Sequence, residues 1–544
     1  MNVSAQSIEN ARCKYKYNKK TCACHKSKLV KSIFYHVIHI INPIMTMRKN
    51  FITCFGILPF ILAIFAGQAA AQTTLEELNA HPEYTSSGYL IYPDPDKNVK
   101  YTRAPAGYKP FYISHYGRHG SRYYSDTEDY KYISETLSKA DAEGKLTQEG
   151  KYLLIASQIL AQKAAPHAGD LSDKGVKQQE GIAKRMARNF PELFKSRKVK
   201  GQKIVPHIDA YASTSGRCIV SMAAFAASLS SSASEVDIRY ESGKNLMDFI
   251  CRFDWNDIGY TKAKAYTDES DKLWAKVNPK PLMNKLFNDT NYVTNNIDAN
   301  RFYNKLFEIM TSIQNADESL SDIIHANLCD ITTNKCYDIF DSLFTTEESI
   351  TRWQAQNAWW YSILGTSPLQ QTTHGIDFAK TTLQNILTEA DRAIASGKAI
   401  YERKKNKSSM DKFETVATLR FGHDAGILPL AGLMQLSIAN AEVTDLSKLY
   451  MQWTDFRIIP MSANLQIVFY KKTNAKKSEN APILVKFLYN EREVTAPIPC
   501  MENSAIAEGD NPQPAKARKK DNCPAAPYYR WNDVRKFYES RIAQ

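Results

Sequence analysis

The alternation of apolar and polar positions divides the chain into short strand-like runs separated by longer stretches of helical spacing. Residues 111–115 alternate apolar or aromatic with polar positions and break at Gly117, which predicts a strand. Helical patterns follow to about residue 195. Residues 208–213 predict a second strand, and residues 218–229 a helix of small apolar side chains. From about 245 to 410 helical signals dominate. Thr345 with Glu348 forms a capping-box pattern that opens a helix running to about Leu364. Leu383, Ile386, Leu387, Ala390 and Ile394 keep helical spacing, and Gly397 suits a C-terminal stop. Strand character returns at 415–421, followed by a helix at 427–436. Residues 465–470 and 483–489 are of strand length and close enough to pair antiparallel, and a short amphipathic helix covers 531–542.

Alternating strands and helices predict an α/β fold: a doubly wound, mostly parallel sheet flanked by helices, with an inserted, mostly helical cap. The boundaries follow the shifts in pattern. Residues 72–245 form the first part of the α/β domain, 246–410 the cap, 411–500 the second part, and 501–544 a tail and helix.

The N-terminal region reads differently. Arg48 and Lys49 precede an apolar run at 51–65, and Ala69-Ala70-Ala71 supplies small residues before Gln72. Residues 47–71 therefore read as a signal peptide cleaved before Gln72, which implies export to a periplasm or the medium. Residues 1–46 read as a mis-called or dispensable extension, and Cys13, Cys22, Cys24 and His25 within it carry no zinc-like second ligand pair.

Composition is that of a folded protein, with 43% hydrophobic and 23% charged residues. The net charge of +13 hints at nucleic acid, but residues 1–49 hold ten Lys/Arg and one acid. Without them the balance falls to +4, and a nucleic-acid partner is not expected. No long apolar run follows the N-terminal region, so no membrane span is expected after signal cleavage. Six cysteines remain after Ala71, which leaves fifteen possible connectivities. Proximity favours Cys329–Cys336 and Cys500–Cys523, with Cys218 as a buried thiol.

The chemistry concentrates at Arg118-His119-Gly120-Ser121-Arg122, directly after the first predicted strand. Phosphoryl transfer needs an in-line nucleophile and cations on the three equatorial oxygens. An imidazole is such a nucleophile once a neighbour fixes its tautomer. Arginines supply permanently charged forks matched to phosphate. Gly120 removes a side chain where backbone must approach a substrate. His115, four residues before His119, reads as a core or supporting residue, because Gly117 and Gly120 argue against a helix that would pair the two on a metal.

This segment resembles the signature Arg-His-Gly-x-Arg of the histidine acid phosphatases, the second branch of the histidine phosphatase superfamily. Ser213-Thr214-Ser215-Gly216-Arg217 resembles the family segment that carries a third phosphate-binding arginine, here Arg217 at the N-terminus of a helix. Arg420-Phe421-Gly422-His423-Asp424-Ala425-Gly426 resembles the family's His-Asp motif. The resemblance implies His119 as nucleophile, Arg118, Arg122, Arg217 and His423 on the phosphate, and Asp424 as the acid that protonates the leaving oxygen. Such an acid helps because an alkoxide leaves poorly, provided its pKa is raised. Residues 169–175 resemble the family's Leu-Thr-x-x-Gly helix start, and residues 484–494 look like the late hairpin of the multiple inositol polyphosphate phosphatases. The resemblance spans about residues 85–500. It implies hydrolysis of small phosphate esters through a phosphohistidine, with no cofactor and no metal.

Two positions depart from the pattern. Tyr124 stands where many of these phosphatases carry proline, which is closer to the inositol polyphosphate branch. That branch usually carries His-Ala-Glu where this chain has His423-Asp424-Ala425. Inositol polyphosphates such as phytate and a broader set of monoesters are both open as substrates. A phosphotransferase of the same superfamily, and a phosphate-ester binding protein without turnover, are the alternatives. The basic runs at 195–203, 404–407 and 471–477 read as solvated faces, and the tryptophans of the cap as core. The pattern specifies no oligomeric state.

Overall fold

A computed structural model describes residues 75–95, 100–199, 201–233, 235–252, 268–330, 335–368, 375–402, 412–473, 481–500 and 523–544, and in it the five strand-like runs join one sheet. The signal segment, the extension before it, the basic run at 404–407 and most of the tail lie outside the described residues.

In chain order the main elements are β1 (Tyr108–Arg118), α1 (Thr127–Ala142), α2 (Gln148–Lys163), α3 (Asp173–Asn189), β2 (Arg197–Val199), β3 (Gln202–Ala212), α4 (Gly216–Ser232) and β4 (Asp237–Ser242). Then come α5 (Ala299–Ser312), α6 (Thr346–Leu364), α7 (Lys380–Glu402), β5 (Phe413–Gly422), α8 (Asp424–Leu433), β6 (Asn464–Lys472), β7 (Leu484–Tyr489), β8 (Arg492–Val494), β9 (Tyr529–Arg530) and α9 (Trp531–Ala543). The sheet runs β8-β7-β6-β1-β5-β3-β2, with β4 beside β3 and β9 beside β7.

The α/β class with flanking helices is as expected, and the sheet is mixed. β1, β5, β3 and β4 are parallel. β6 and β7 run antiparallel, the pairing expected for 465–470 and 483–489. The reason is connection length, since parallel neighbours need a long crossover and the late strands are joined by short links. β7 turns into β8 through Asn490 and Glu491, both with positive φ (46° and 59°), the conformation of a tight two-residue hairpin. Arg185 grips the Glu491 carboxylate through Nε and Nη2 at 2.8–3.0 Å, which offsets the poor local preference of glutamate there.

Strand alternation gives the sheet two apolar faces. Ile113, Ile208, Leu419 and Val468 pack with Ile182 of α3 and Phe225 of α4. Tyr112, Tyr116 and Ile467 pack with Leu383 of α7, Leu428 of α8 and Trp531 of α9. A further core joins α1, α2 and α5 through Leu137, Leu153 and Leu306.

Two glycines behave differently from expectation. β1 continues through Gly117 to Arg118, held there by pairing with β5 and β6; a Cβ at Gly117 would stand 2.7 Å from the His115 ring, so the glycine makes room for that ring. α7 continues through Gly397 to Glu402. Ile400 is buried beyond it, and packing of the apolar stripe outweighs the roughly 1 kcal/mol helix cost of glycine. The capping box is formed as read: the Glu348 N–H donates to Thr345 Oγ1, and the Glu348 carboxylate accepts from the Thr345 N–H. Disulfides join Cys329 to Cys336 and Cys500 to Cys523, while Cys218 and Cys251 are buried thiols. Among the described residues no helix is long and apolar enough to cross a membrane.

Candidate active site

Three parallel strands deliver the candidate residues to one edge of the sheet. In register Arg118 of β1 faces Gly422 of β5, and Ala212 of β3 faces Phe421. His119, Ser213 and His423 are therefore the first residues beyond three adjacent strands, the position where open α/β sheets place their ligand sites.

The loop after β1 is fixed by its backbone. The His119 N–H donates to Gly422 O at 3.0 Å, and the Arg118 N–H to Ala463 O at 2.7 Å. Gly120 lies against Gly175 near the start of α3; a Cβ on Gly120 would come within 2.5 Å of Gly175 O. Its lack of a side chain thus serves the packing of α3 against this loop. Ser172 caps α3, accepting from the Gly175 N–H at 3.3 Å, as expected for the segment 169–175.

His119 is buried, and its Nδ1 lies 2.9 Å from Gly120 O. A carbonyl only accepts, so Nδ1 carries the proton and Nε2 keeps its lone pair. Burial, then Arg118, Arg217 and Arg122, hold its pKa well below the ordinary histidine value. The neutral imidazole is thereby favoured over the imidazolium.

Arg118 is clamped rather than free. Its Nη1 donates to Gly88 O and Ile459 O, both at 2.5 Å, and its Nη2 to Asp424 Oδ2 at 2.7 Å. Arg122 donates from Nη1 to Tyr123 O and lies over the Tyr89 ring, 5.3 Å from its centroid. Arg217, in the first turn of α4, places Nη2 3.4 Å from His423 Nδ1. His423 Nε2 is 2.9 Å from Ser213 Oγ, and the His423 and His119 rings meet edge to face at 5.7 Å. Burial and Arg217 push the His423 pKa down to about 4. Burial acts to raise the Asp424 pKa, but Arg118, His423 and the Ala425 N–H outweigh it and hold the carboxyl below its usual range. Asp424 is the first residue of α8 and His423 its N-cap.

All six candidate residues thus come together. His115 does not join them: it is buried between Phe225 and Phe421, and burial lowers its pKa to about 3. Tyr124 is explained by its hydroxyl, which bonds Asp129 at 2.7 Å and Glu308 at 3.0 Å, tying the loop to α1 and α5.

A cleft of about 300 Å³ opens beside Arg118, Arg122 and Asp424, and α6 lines its far side with Arg352, Trp359 and Trp360. Trp353 is core, as read, but Trp359 and Trp360 are only half-buried and face the cleft. The helical spacing of 352, 359 and 360 was visible in the sequence, but nothing in it said which face met the site. Asp455 was missed as well. It is fully buried, accepts from Trp353 Nε1 at 2.9 Å, and is hydrogen-bonded by Ser87, next to the Gly88 carbonyl that holds Arg118. Its only signal, a lone aspartate, is uninformative without the fold.

The family model of the histidine phosphatase superfamily (branch 2) matches residues 117–490, well over half of the chain. The chain belongs to this family and is a phosphatase of the phosphomonoesterase class. Among solved structures it is similar to the multiple inositol polyphosphate phosphatase of Bifidobacterium longum in complex with phosphate, with a TM-score of 0.55 and 17% identity over 76% of this chain and 93% of that one. The same enzyme complexed with inositol hexasulfate matches at 16% identity. The phytase from D. castellii matches with a TM-score of 0.52 and 16% identity over 85% of each chain. At these identities the likeness shows a shared fold. No curated protein sequence matches the chain.

Proposed function

We propose that the protein hydrolyses phosphate monoesters through a phosphohistidine on His119, and that inositol polyphosphates, phytate among them, are its substrates within a broader set of esters. The observation that carries this reading is the His119 ring: buried, neutral, its tautomer fixed by Gly120 O, and surrounded by Arg118, Arg122 and Arg217. The arginines and His423 hold the phosphoryl oxygens. Nε2 forms a bond to phosphorus as the ester P–O bond breaks, and the leaving oxygen takes a proton from Asp424. Water then cleaves the N–P bond, releasing phosphate and restoring the imidazole.

Arg118 favours the carboxylate form of Asp424 in the free site, so the substrate is the natural source of the proton. A phosphate monoester, with a second pKa near 6, is largely a monoanion in acid. Seated among the arginines it becomes the dianion, and its proton passes to Asp424. The likeness to inositol phosphate phosphatases supports the substrate. The predicted signal segment and the two disulfides support export to a periplasm or the medium.

The test is phosphate release from phytate and phenyl phosphates at acid pH. His119→Ala is expected to abolish it. Asp424→Asn is expected to slow esters of alcohols by roughly 10²–10⁴-fold and phenols with good leaving groups much less. An active His119→Ala variant, or equal losses for both ester types in Asp424→Asn, contradicts these roles.

A further inference from the structure

One wall of the cleft takes no part in holding the transferred phosphoryl group. Arg352, Gln356, Trp359 and Trp360 line that wall, spaced i, i+4, i+7 and i+8, so α6 offers them on one face. Trp353 and Asn357 on the same helix are buried in the protein. Arg352 is 3% exposed although it borders an open cleft, a rare place for an arginine. Its position is built rather than incidental. Nη2 donates to Glu308 Oε1 at 3.1 Å, Nε to Asn304 Oδ1 at 3.2 Å, and the guanidinium lies 4.4 Å over the Phe307 ring. Glu308 is itself held by the Tyr124 hydroxyl and stands 3.9 Å from Lys305 Nζ. These contacts use Nε and Nη2. Among the described residues Nη1 has no assigned partner, so an oriented charged donor is left at the border of an anion site.

We infer that this face of α6 is the leaving-group subsite: the ring of the substrate alcohol lies against Trp359 and Trp360, and a second phosphate on that ring takes Arg352. The inference rests on the phosphatase reading above and deepens it. Trp359 and Trp360 meet edge to face, with centroids 5.1 Å apart and planes 75° apart, and form an apolar corner for ring C–H groups, while a few placed polar groups orient the ligand. An ester with no second anion forfeits the Arg352 contact, so Arg352 sets preference among substrates and not the chemistry common to them.

The experiment compares inositol hexakisphosphate with phenyl phosphate in the wild type, Arg352→Gln and Arg352→Lys. In Arg352→Gln the ratio of kcat/KM for the hexakisphosphate to that for phenyl phosphate is expected to fall at least about tenfold, mainly through KM. Arg352→Lys is expected to recover part of the ratio, because it keeps the charge and loses the fork. Binding is measured separately in His119→Ala, with and without Arg352→Gln, by calorimetry with inositol hexakisphosphate and with inorganic phosphate. The affinity ratio of the two ligands is expected to fall by a similar factor. Equal losses for both esters, or an unchanged affinity ratio, overturn the subsite. Should the wild type release phosphate from neither ester, the phosphatase reading fails, and the binding comparison still decides the subsite.

Discussion

A nucleophilic imidazole that works in acid must resist protonation, and His119 does so by position. Burial comes first, and the neighbouring arginines add to it. The same cations that hold phosphate therefore keep the nucleophile free. Arg217→Ala separates the two effects. Losing the phosphate contact is expected to lower kcat/KM roughly ten- to hundred-fold. Removing a positive charge also eases protonation of His119, so the acid limb of the pH–rate profile is expected to move to higher pH. A profile of kcat/KM from pH 2 upward, which reports the free enzyme, checks it, and an unmoved limb refutes the coupling. Asp455 invites a second measurement at this scale. Burial raises its pKa to about 6, against about 3.9 for an unperturbed aspartate. Folding thus favours the protonated acid. That contribution is complete below the unfolded value and is lost as pH rises through about 6, a loss on the order of 3 kcal/mol. Asp455→Asn cannot titrate, and its amide can serve both Trp353 and Ser87. Urea unfolding at pH 4 and pH 7 is expected to show wild type losing that much more stability than the variant. Parallel pH profiles for the two proteins contradict this.

At the scale of elements, α3 is seated by two glycines that face each other. A Cβ on Gly175 would lie 2.2 Å from Ser121 O, and backbone cannot move aside as a flexible side chain can. Gly175→Ala is expected to cost more than about 3 kcal/mol and to displace the loop that carries His119. A Cβ on Gly216, the first residue of α4, would meet nothing within 4 Å. Gly216→Ala is expected to change stability by less than about 1 kcal/mol, in the stabilising direction. Thermal unfolding of both variants checks the contrast. These glycines also mark the limit of what the sequence revealed. The capping box at Thr345 and Glu348 was legible because both partners lie within one turn. Gly120 was legible as a close approach, but its partner lies 55 residues away and only the fold supplies it. Gly397 looked like a helix stop because the packing that carries α7 past it comes from elsewhere in the chain. The five-residue motif at His119 was legible for the reason the capping box was: its chemistry is contiguous. Arg352 and Asp455 act through partners distant in the chain, in α5 for the first and at Ser87 and Trp353 for the second, and nothing local distinguished them.

For the whole molecule, the parallel half of the sheet brings residues near 118, 217 and 423 together, and the antiparallel half ties down the C-terminal third. Cys500 and Cys523 close a loop at the end of that third, and Cys329 and Cys336 join two short paired segments among the helices. The remaining described cysteines, Cys218 and Cys251, are buried thiols, and burial pushes the Cys218 pKa up to about 11, which makes it a poor nucleophile in the fold. A chain cleaved before Gln72 therefore has two thiols and two disulfides. Alkylating the exported protein after unfolding, without a reductant, is expected to label Cys218 and Cys251 alone. Label on Cys54 would mean that the signal segment is retained, and label on any of the other four would mean that the disulfides do not form. Alkylation of the folded protein is expected to label neither buried thiol. Reduction is expected to lower the unfolding midpoint through the 500–523 loop, whose closure contributes about 2–4 kcal/mol. A midpoint unchanged by reduction would place the stability of this fold in its sheet and helices alone.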